Sequence, residues 1–424
     1  RYIRDAGALN EIQTSYCYLR MEWALTEETI LERDILKLKQ AGVFNLQKWS
    51  EAAPEVKESV HEITKQTLDA ALQEAASKPT TTVVSIKMEG LYESVYNARW
   101  HHVVEIPDGN GMGMKVEEGK PEQSWTYREV GNTLEKNDAV RKSGAPRPRM
   151  MVLASDKGWP YTMNRLHRAG IDLCVNCEVE RVWQIVRNDL TKWFSNFDLT
   201  LNPSPLPRVL IGTSGIGKSM NAGSYLLYQL LHYDAEELQV VAHCFGSKMY
   251  VFDKTSRTVT KYMGEIISKS VLYGLRQRGM KGYIIYDVAK KGTPPDTGFA
   301  PSSGWGMIVV SSPEVTNYDE WEKQTKAARI IMNCLDEMDV KAMCAWMKRG
   351  LGQDKQAEYW RMVKERMEIV GPIPRHIFDA NEFIAHSAAI EDALRWINIG
   401  DQGKYFIHGG VKLWYSENPS HKLV

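Results

Sequence analysis

The spacing of hydrophobic residues changes several times along the chain and predicts regions of different secondary structure. Over residues 1–78 apolar side chains recur every three or four positions, which predicts packed amphipathic helices. After Pro79, β-branched stretches and the run Arg99–Ile106 predict strands of a small α+β module. Helical spacing returns over 178–198. From Arg208 short apolar runs alternate with helical stretches, which is typical of an α/β fold built on a mostly parallel sheet.

A glycine-rich motif directly follows the first strand of the α/β region. The apolar strand Arg208–Ile211 precedes it, and helical spacing over Met220–His232 follows it. The motif fits the Walker A pattern G-x-x-x-x-G-K-[ST], in which glycines adopt backbone angles that other residues resist, so that consecutive N–H groups can surround a phosphate. We therefore predict a P-loop that binds a nucleoside triphosphate at Gly212, Thr213, Ser214, Gly215, Ile216, Gly217, Lys218 and Ser219.

Polar residues at two other strand ends complete a candidate catalytic site. Lys218 is predicted to contact the β- and γ-phosphates, and the Ser219 hydroxyl to bind Mg²⁺. A second apolar strand, with the sequence GYIIYD, ends in Asp287, the typical position of the second metal-binding group. In the P-loop class with an extra strand between these two strands, the extra strand ends in a polar sensor of the γ-phosphate. Ser311, or the adjacent Ser312, fits that position.

Two further positions concern the γ-phosphate and the attacking water. Arg375 precedes a C-terminal helix, where related ATPases carry a lid arginine that reaches the γ-phosphate. Many such ATPases place a glutamate directly after the metal-binding acid to polarise the water, but Val288 follows Asp287 in this chain. The base could come from elsewhere, with Glu314 as a candidate, or hydrolysis could be slow.

The elements and motifs together predict five regions. We expect a helical region at 1–78, a small α+β module at 79–177, a helix with a proline-rich linker at 178–206, a P-loop NTPase core of the extra-strand class at 207–370, and a helical lid with the start of a following domain at 371–424. The chain begins without methionine and ends in what resembles the middle of a domain, so we expect a fragment.

Composition narrows the range of functions. The 424 residues include 53 basic and 53 acidic side chains, so bulk charge does not favour a nucleic-acid coat. Six cysteines in a chain of this length do not suggest a disulfide framework and favour a reducing compartment, either the cytosol or the nucleus. No apolar run is long enough to predict a transmembrane helix, so no membrane association is expected.

Two other features have simpler interpretations. Cys174 and Cys177 form a lone CxxC pair without a second pair nearby, so incidental spacing is favoured over a metal site. The proline-rich loop with Arg141, Lys142, Arg147 and Arg149 could contact phosphates, but a solvated loop is the favoured interpretation.

Stretches outside the P-loop make a family resemblance specific. The chain strongly resembles the retrotransposon hot spot proteins of kinetoplastids over essentially all of its length. The matching stretches are Tyr92–Trp100, Gly119–Tyr127, Ser155–Pro160, Pro207–Ser219, Gly274–Asp287 and Gly371–Arg375. Where the P-loop of this family commonly has proline, this chain has Ser214.

The resemblance implies a multicopy, nucleus-associated protein with an ATP- or GTP-binding domain, linked to chromatin, transcription and RNA export. It also implies an ATPase core similar to that of the Crinkler-type proteins, in which a nuclease-like domain is separate. No nuclease constellation of closely spaced acids with lysine occurs in this chain, so that activity is not expected.

Three functions remain open at this point. The first is binding of Mg-ATP or Mg-GTP as a conformational switch in a nuclear protein, with ATPase activity undecided. The second is a nuclear scaffold that binds nucleotide without significant turnover; the missing glutamate favours it, while Lys218, Ser219 and Asp287 favour a working site. A small-molecule P-loop kinase is disfavoured, because no arginine-rich lid segment lies between Asp287 and Gly306.

Overall fold

The computed structural model of the chain describes residues 28–44, 46–77, 85–106, 112–137, 146–164, 172–195, 204–288, 292–301 and 304–395. The chain divides into two compact units, residues 1–83 and residues 84–424. Among the helices within these described ranges, none is both long and apolar enough to cross a bilayer.

The described part of the first unit is helical. Its helices are α1 (Glu28–Gln40), α2 (Leu46–Glu51), α3 (Pro54–Glu58) and α4 (Glu62–Ser77). Trp49 is fully buried and packs in one cluster with Leu38 and Val60. The Trp49 Nε1–H donates to Asp69 Oδ1 at 2.8 Å, which satisfies the one polar group of this buried ring.

The second unit contains fourteen described strands and nine described α-helices. Its strands are β1 (Ser85–Lys87), β2 (Arg99–Glu105), β3 (Met114–Glu118), β4 (Tyr127–Val130), β5 (Thr133–Lys136), β6 (Pro148–Ala154), β7 (Asp172–Val175), β8 (Arg208–Ile211), β9 (Val240–Phe245), β10 (Lys248–Asp253), β11 (Thr258–Met263), β12 (Gly282–Asp287), β13 (Trp305–Ser311) and β14 (Ala328–Ile331). Its helices are α5 (Leu91–Tyr96), α6 (Cys177–Ser195), α7 (Ser224–His232), α8 (Glu265–Gln277), α9 (Asp319–Thr325), α10 (Glu337–Met347), α11 (Gln353–Val370), α12 (Pro374–Phe378) and α13 (Ala380–Arg395).

Eight strands form one large sheet in the order β1-β11-β10-β9-β12-β13-β8-β14. The five strands from β9 to β14 in this order are parallel, whereas β1, β11 and β10 extend the sheet with antiparallel pairs. Strands β8, β12 and β13 are buried along their whole length, as expected for the centre of a parallel sheet covered on both faces. The α/β class predicted from the sequence is confirmed, with a mixed large sheet.

A smaller antiparallel sheet, in the order β3-β2-β6-β7, is covered on both faces. Met151 and Leu153 of β6 face a core cluster shared with α6 and α7, whereas Met150 and Val152 face a cluster shared with α10 and α11. Side chains alternate between the faces of a strand, so one strand contributes to two cores. The small sheet therefore lies between the helices next to the large sheet and the C-terminal helices.

Candidate functional site

The glycine-rich loop connects β8 to a helix whose first turn is π-helical, Lys218–Gly223, and which continues as α7. Gly215 and Gly217 have φ angles of 94° and 102°, which other residues rarely adopt. A Cβ at Gly212 would lie 2.9 Å from the backbone carbonyl oxygen of Met332. The backbone path of the loop therefore requires glycine at all three positions. A π-helical turn of this kind often occurs at functional sites.

Lys218 is buried beneath the loop, and the hydrogen-bond acceptors of its ammonium group are two uncharged carbonyl oxygens. Its Nζ donates to the carbonyl oxygens of Gly212, at 2.5 Å, and Thr213, at 2.7 Å. Burial lowers the pKa of Lys218, the charge of Asp287 opposes this shift and the charge of Arg375 adds to it, and the resulting pKa is about 8. A phosphate anion at this position would compensate the desolvated ammonium better than two carbonyl dipoles do.

Three neighbouring strands bring the predicted polar residues to one edge of the sheet. The Cα of Ser311, the last residue of β13, is paired with that of Ile211, directly before the glycine-rich loop. The Cα of Asp287 at the end of β12 is paired with that of Val310. Since parallel strands end at the same edge, Asp287 and Ser311 lie level with the start of the loop, and β13 separates β8 from β12.

The strand end at Ser311 is held by a residue that the sequence did not single out. The Ser311 hydroxyl donates to the Ser312 carbonyl oxygen at 2.9 Å. The Asn317 amide donates to Ser312 Oγ at 3.0 Å and accepts from the Gly292 N–H at 2.8 Å. Asn317 thus connects the loops that follow β12 and β13. Its role depends on two loops meeting in space, which no local pattern predicts.

Arg375 lies directly against the glycine-rich loop. It is the second residue of α12, and its Nη1 donates to Ser214 Oγ at 3.3 Å. A Cβ at Gly215 would lie 2.9 Å from the Arg375 Cβ and 3.0 Å from Ile373 Cγ2. The structure therefore brings the predicted lid arginine to the phosphate loop, although 157 residues separate it from Lys218 in sequence (375 − 218).

Glu314, the candidate base, lies three residues beyond the end of β13 at the same sheet edge. It is half-buried, precedes the short 3₁₀ turn Val315–Asn317, and accepts a hydrogen bond from Thr316 Oγ1 at 3.1 Å. Val288, which occupies the usual glutamate position, is partly buried among apolar residues. The residues predicted to bind phosphate and metal thus lie at one edge of the sheet, while the geometry of the described residues defines no water-activating group.

Burial and ion pairs account for the other sequence candidates. Burial raises the pKa of Cys174 to about 12 and that of Cys177 to about 11, so both thiols stay protonated at neutral pH. Arg149 of the basic loop pairs with Glu105 at 2.8 Å and Asp336 at 3.3 Å. Its neighbours Arg141 and Lys142 lie outside the described residues.

A cavity of about 510 Å³ opens at the opposite, amino-terminal edge of the large sheet. It lies between the β4–β5 hairpin, α6 and the proline-rich segment before β8, and Trp193, Asp189 and Arg208 contribute to its wall. Because the glycine-rich loop is at the carboxyl edge, this cavity is not the phosphate site.

Strand, glycine-rich loop and helix define a P-loop domain, and the comparison with family models identifies the same class. The model described as "Retrotransposon hot spot protein, P-loop domain" matches residues 209–424. The model described as "Retrotransposon hot spot proteins N-terminal" matches residues 92–204. The chain therefore belongs to the retrotransposon hot spot protein family, which confirms the resemblance found in its sequence. No curated protein matches the chain.

Proposed function

We propose that the chain is a P-loop NTPase of the extra-strand class that binds Mg-ATP or Mg-GTP as a conformational switch. The observation that carries this proposal is the buried ammonium of Lys218, held by two neutral carbonyl oxygens of a glycine-rich loop. Such an arrangement favours an incoming polyanion, and the helix that starts at Lys218 adds its positive dipole end.

Each candidate residue has a role in this proposal. The N–H groups from Gly212 to Ser219 would surround the phosphates, and Lys218 would contact the β- and γ-phosphates. Ser219 and Asp287 would hold Mg²⁺, which neutralises phosphate charge when bound. Ser311 would sense the γ-phosphate and Arg375 would reach it from α12. The position of β13 between β8 and β12 supports assignment to the extra-strand class.

A switch needs an element that responds to the γ-phosphate, and Arg375 could connect the γ-phosphate to the C-terminal helices. α12, which carries it, packs with α11 and α13, and α11 shares a core cluster with residues of the small sheet. A change at the phosphate loop would therefore pass through α12 and α11 to the small sheet.

The rival function is a scaffold that binds nucleotide without significant turnover. Val288 at the usual glutamate position favours this alternative, because the usual water-activating residue is then missing from that position. In either case we propose a nuclear location and protein partners, with chromatin or RNA contacted indirectly. These parts of the proposal rest on the family resemblance.

The deciding experiment compares wild type, Lys218→Ala and Asp287→Asn for binding of ATP and GTP with Mg²⁺ and for phosphate release. We expect Lys218→Ala to weaken binding about a hundredfold or more, and Asp287→Asn to weaken mainly the Mg²⁺-dependent part. Absence of binding by wild type would overturn the proposal. Equal, slow phosphate release by wild type and Lys218→Ala would select the scaffold.

A further inference from the structure

Asp287 and Ser311 lie on the same side of the phosphate loop. Strands β13 and β12, which end in Ser311 and Asp287, are on one side of β8, and β14 is its neighbour on the other side. In the proposed function the metal and γ-phosphate lie near Asp287. Since a nucleotide is an elongated molecule, we expect its nucleoside end to leave the loop on the side away from Asp287 and Ser311. The residues that follow β14 line that side.

The segment Ile331–Cys334 runs along the first residues of the phosphate loop. The Met332 N–H donates to the Ile211 carbonyl oxygen at 2.8 Å, and the Met332 carbonyl oxygen would be 2.9 Å from a Cβ at Gly212. The Cys334 Sγ lies 3.9 Å from Thr213 Oγ1. The side chain of Ile331 is nevertheless 64% exposed, and Asn333 and Cys334 are also exposed.

A buried ion pair of α6 holds the backbone of this segment. Arg181 Nη2 donates to the Ile331 carbonyl oxygen at 2.5 Å, and Glu178 Oε2 accepts from the Asn333 N–H at 3.0 Å. The two side chains are only 11% and 16% exposed and are paired with each other at 2.8 Å. Desolvating two charges is costly, yet both charges fix the backbone of a segment in which three of four side chains are exposed. Such a rigid surface is what a binding site requires.

We propose that Ile331, Asn333 and Cys334 form the binding site for the ribose and base of the bound nucleotide. Glu178 and Arg181 fix the backbone of this site. This inference rests on the proposed function and assigns the nucleoside end of the same ligand. The isoleucine side chain and the thiol offer apolar, polarisable contacts to a flat ring. The Asn333 amide offers one acceptor and two donors to a base edge or a ribose hydroxyl.

The first test measures binding of Mg-ATP, Mg-GTP and Mg-tripolyphosphate to the whole chain. Ile331→Asn should weaken ATP and GTP about five- to tenfold, because it removes apolar contact area, and should leave tripolyphosphate within about twofold. The control is Ile266→Asn on α8, whose side chain is 81% exposed and whose helix packs on β10 and β11 at the other end of the sheet. It should change none of the three affinities.

The second test uses the Cys334 thiol as a position marker. Alkylation of Cys334 by iodoacetamide is followed by peptide mass spectrometry. We expect Mg-ATP to slow this alkylation and tripolyphosphate to slow it less. If ATP binds wild type and Ile331→Asn equally, or if Ile331→Asn weakens binding of tripolyphosphate as much as binding of ATP, the nucleoside site lies elsewhere and the proposed function stands. If wild type binds neither ATP nor tripolyphosphate, the proposed function itself fails.

Discussion

A buried cation lies near each end of strand β8, and the two differ in the charge of their partners. At the amino end, Arg208 forms a two-point ion pair with Asp189, with Nε–Oδ2 at 2.7 Å and Nη2–Oδ1 at 2.8 Å. Beyond the carboxyl end, Lys218 donates to two carbonyl oxygens of its own loop. Arg208 and Asp189 neutralise each other within the fold. Lys218 has no such directly bonded counter-charge among the hydrogen bonds described, and its pKa falls to about 8.

This difference separates a structural cation from one that can take part in binding. A two-point arginine–carboxylate pair satisfies both groups, so an anion would have to displace a carboxylate to reach Arg208. At Lys218 an anion would displace only neutral dipoles and would relieve the cost of burying a charge. The cavity beside Arg208 and Asp189 is therefore the less suitable anion site, although its volume is about 510 Å³.

A third buried cation shows that carbonyl partners alone do not define a binding site. Lys254 donates to the carbonyl oxygens of Leu230 at 3.1 Å and Tyr233 at 2.5 Å, and burial lowers its pKa to about 8. These carbonyls lie at the C-terminal end of α7, where the helix dipole favours a cation. Lys218 lies at the start of the same helix, where the dipole favours an anion. Position along the helix distinguishes the two lysines.

The largest expected effect is a loss of stability when the ion pair between Arg208 and Asp189 is broken. Arg208→Met leaves the Asp189 carboxylate buried without its partner, so we expect the free energy of unfolding to fall by about 3–5 kcal/mol. Urea denaturation measures this change. The double variant Arg208→Met/Asp189→Leu should recover most of the loss, because it removes both charges. Equal instability of the single and double variants would show that packing at this end matters more than charge.

The second-largest expected effect is a loss of stability when Lys254 is replaced. Lys254→Met should leave two carbonyl groups at the end of α7 without their donor and lower the free energy of unfolding by about 1–3 kcal/mol. Mg-ATP affinity should stay within about twofold of wild type, since Lys254 is at the far end of the helix from the loop. A large loss of affinity in a folded Lys254→Met protein would contradict the division of roles between the two lysines.

Local patterns predicted the half of the site that lies on the parallel sheet. The glycine-rich loop is contiguous in sequence, and Asp287 and Ser311 end strands whose apolar runs are evident, so a parallel sheet places them together. Arg375 could be proposed only by analogy with related ATPases, because its approach to Ser214 depends on how the C-terminal helices pack. The roles of these residues remain predictions, although their positions are now known.

Long-range contacts could not be predicted in the same way. Glu178 and Arg181 form an ordinary charge pair three residues apart on α6, and nothing in that spacing indicates that they hold residues 331 and 333. The same applies to the small sheet, whose strand β6 contributes to two cores through alternating side chains. Of its strands, the sequence predicted β2 within Arg99–Ile106 but did not assign β3 or β7, and the helices on either face come from distant parts of the chain.

The third prediction uses pH to test the buried ammonium. As pH rises through about 8, free protein loses the Lys218 proton, whereas a bound triphosphate would raise the pKa of Lys218 and retain it. Binding above pH 8 must then take up a proton, so Mg-ATP affinity should fall by up to about tenfold per pH unit. Calorimetric titrations between pH 7 and 9.5 measure the slope. Lys254→Met should keep it, and a flat profile would refute an ammonium–phosphate contact.

The smallest effect concerns Arg375, whose neutral partner Ser214 resembles the carbonyl partners of Lys218. The contact is exposed and 3.3 Å long, so it is weak. If a γ-phosphate replaces it, Ser214→Ala should strengthen Mg-ATP binding by about two- to threefold, since Arg375 no longer has to leave a partner. A double-mutant cycle tests the coupling: with Arg375→Ala, which should weaken binding by itself, Ser214→Ala should have no further effect. Weaker binding by Ser214→Ala alone would instead indicate that the Ser214 hydroxyl contacts the nucleotide. The γ-phosphate would then not replace Ser214 as the partner of Arg375.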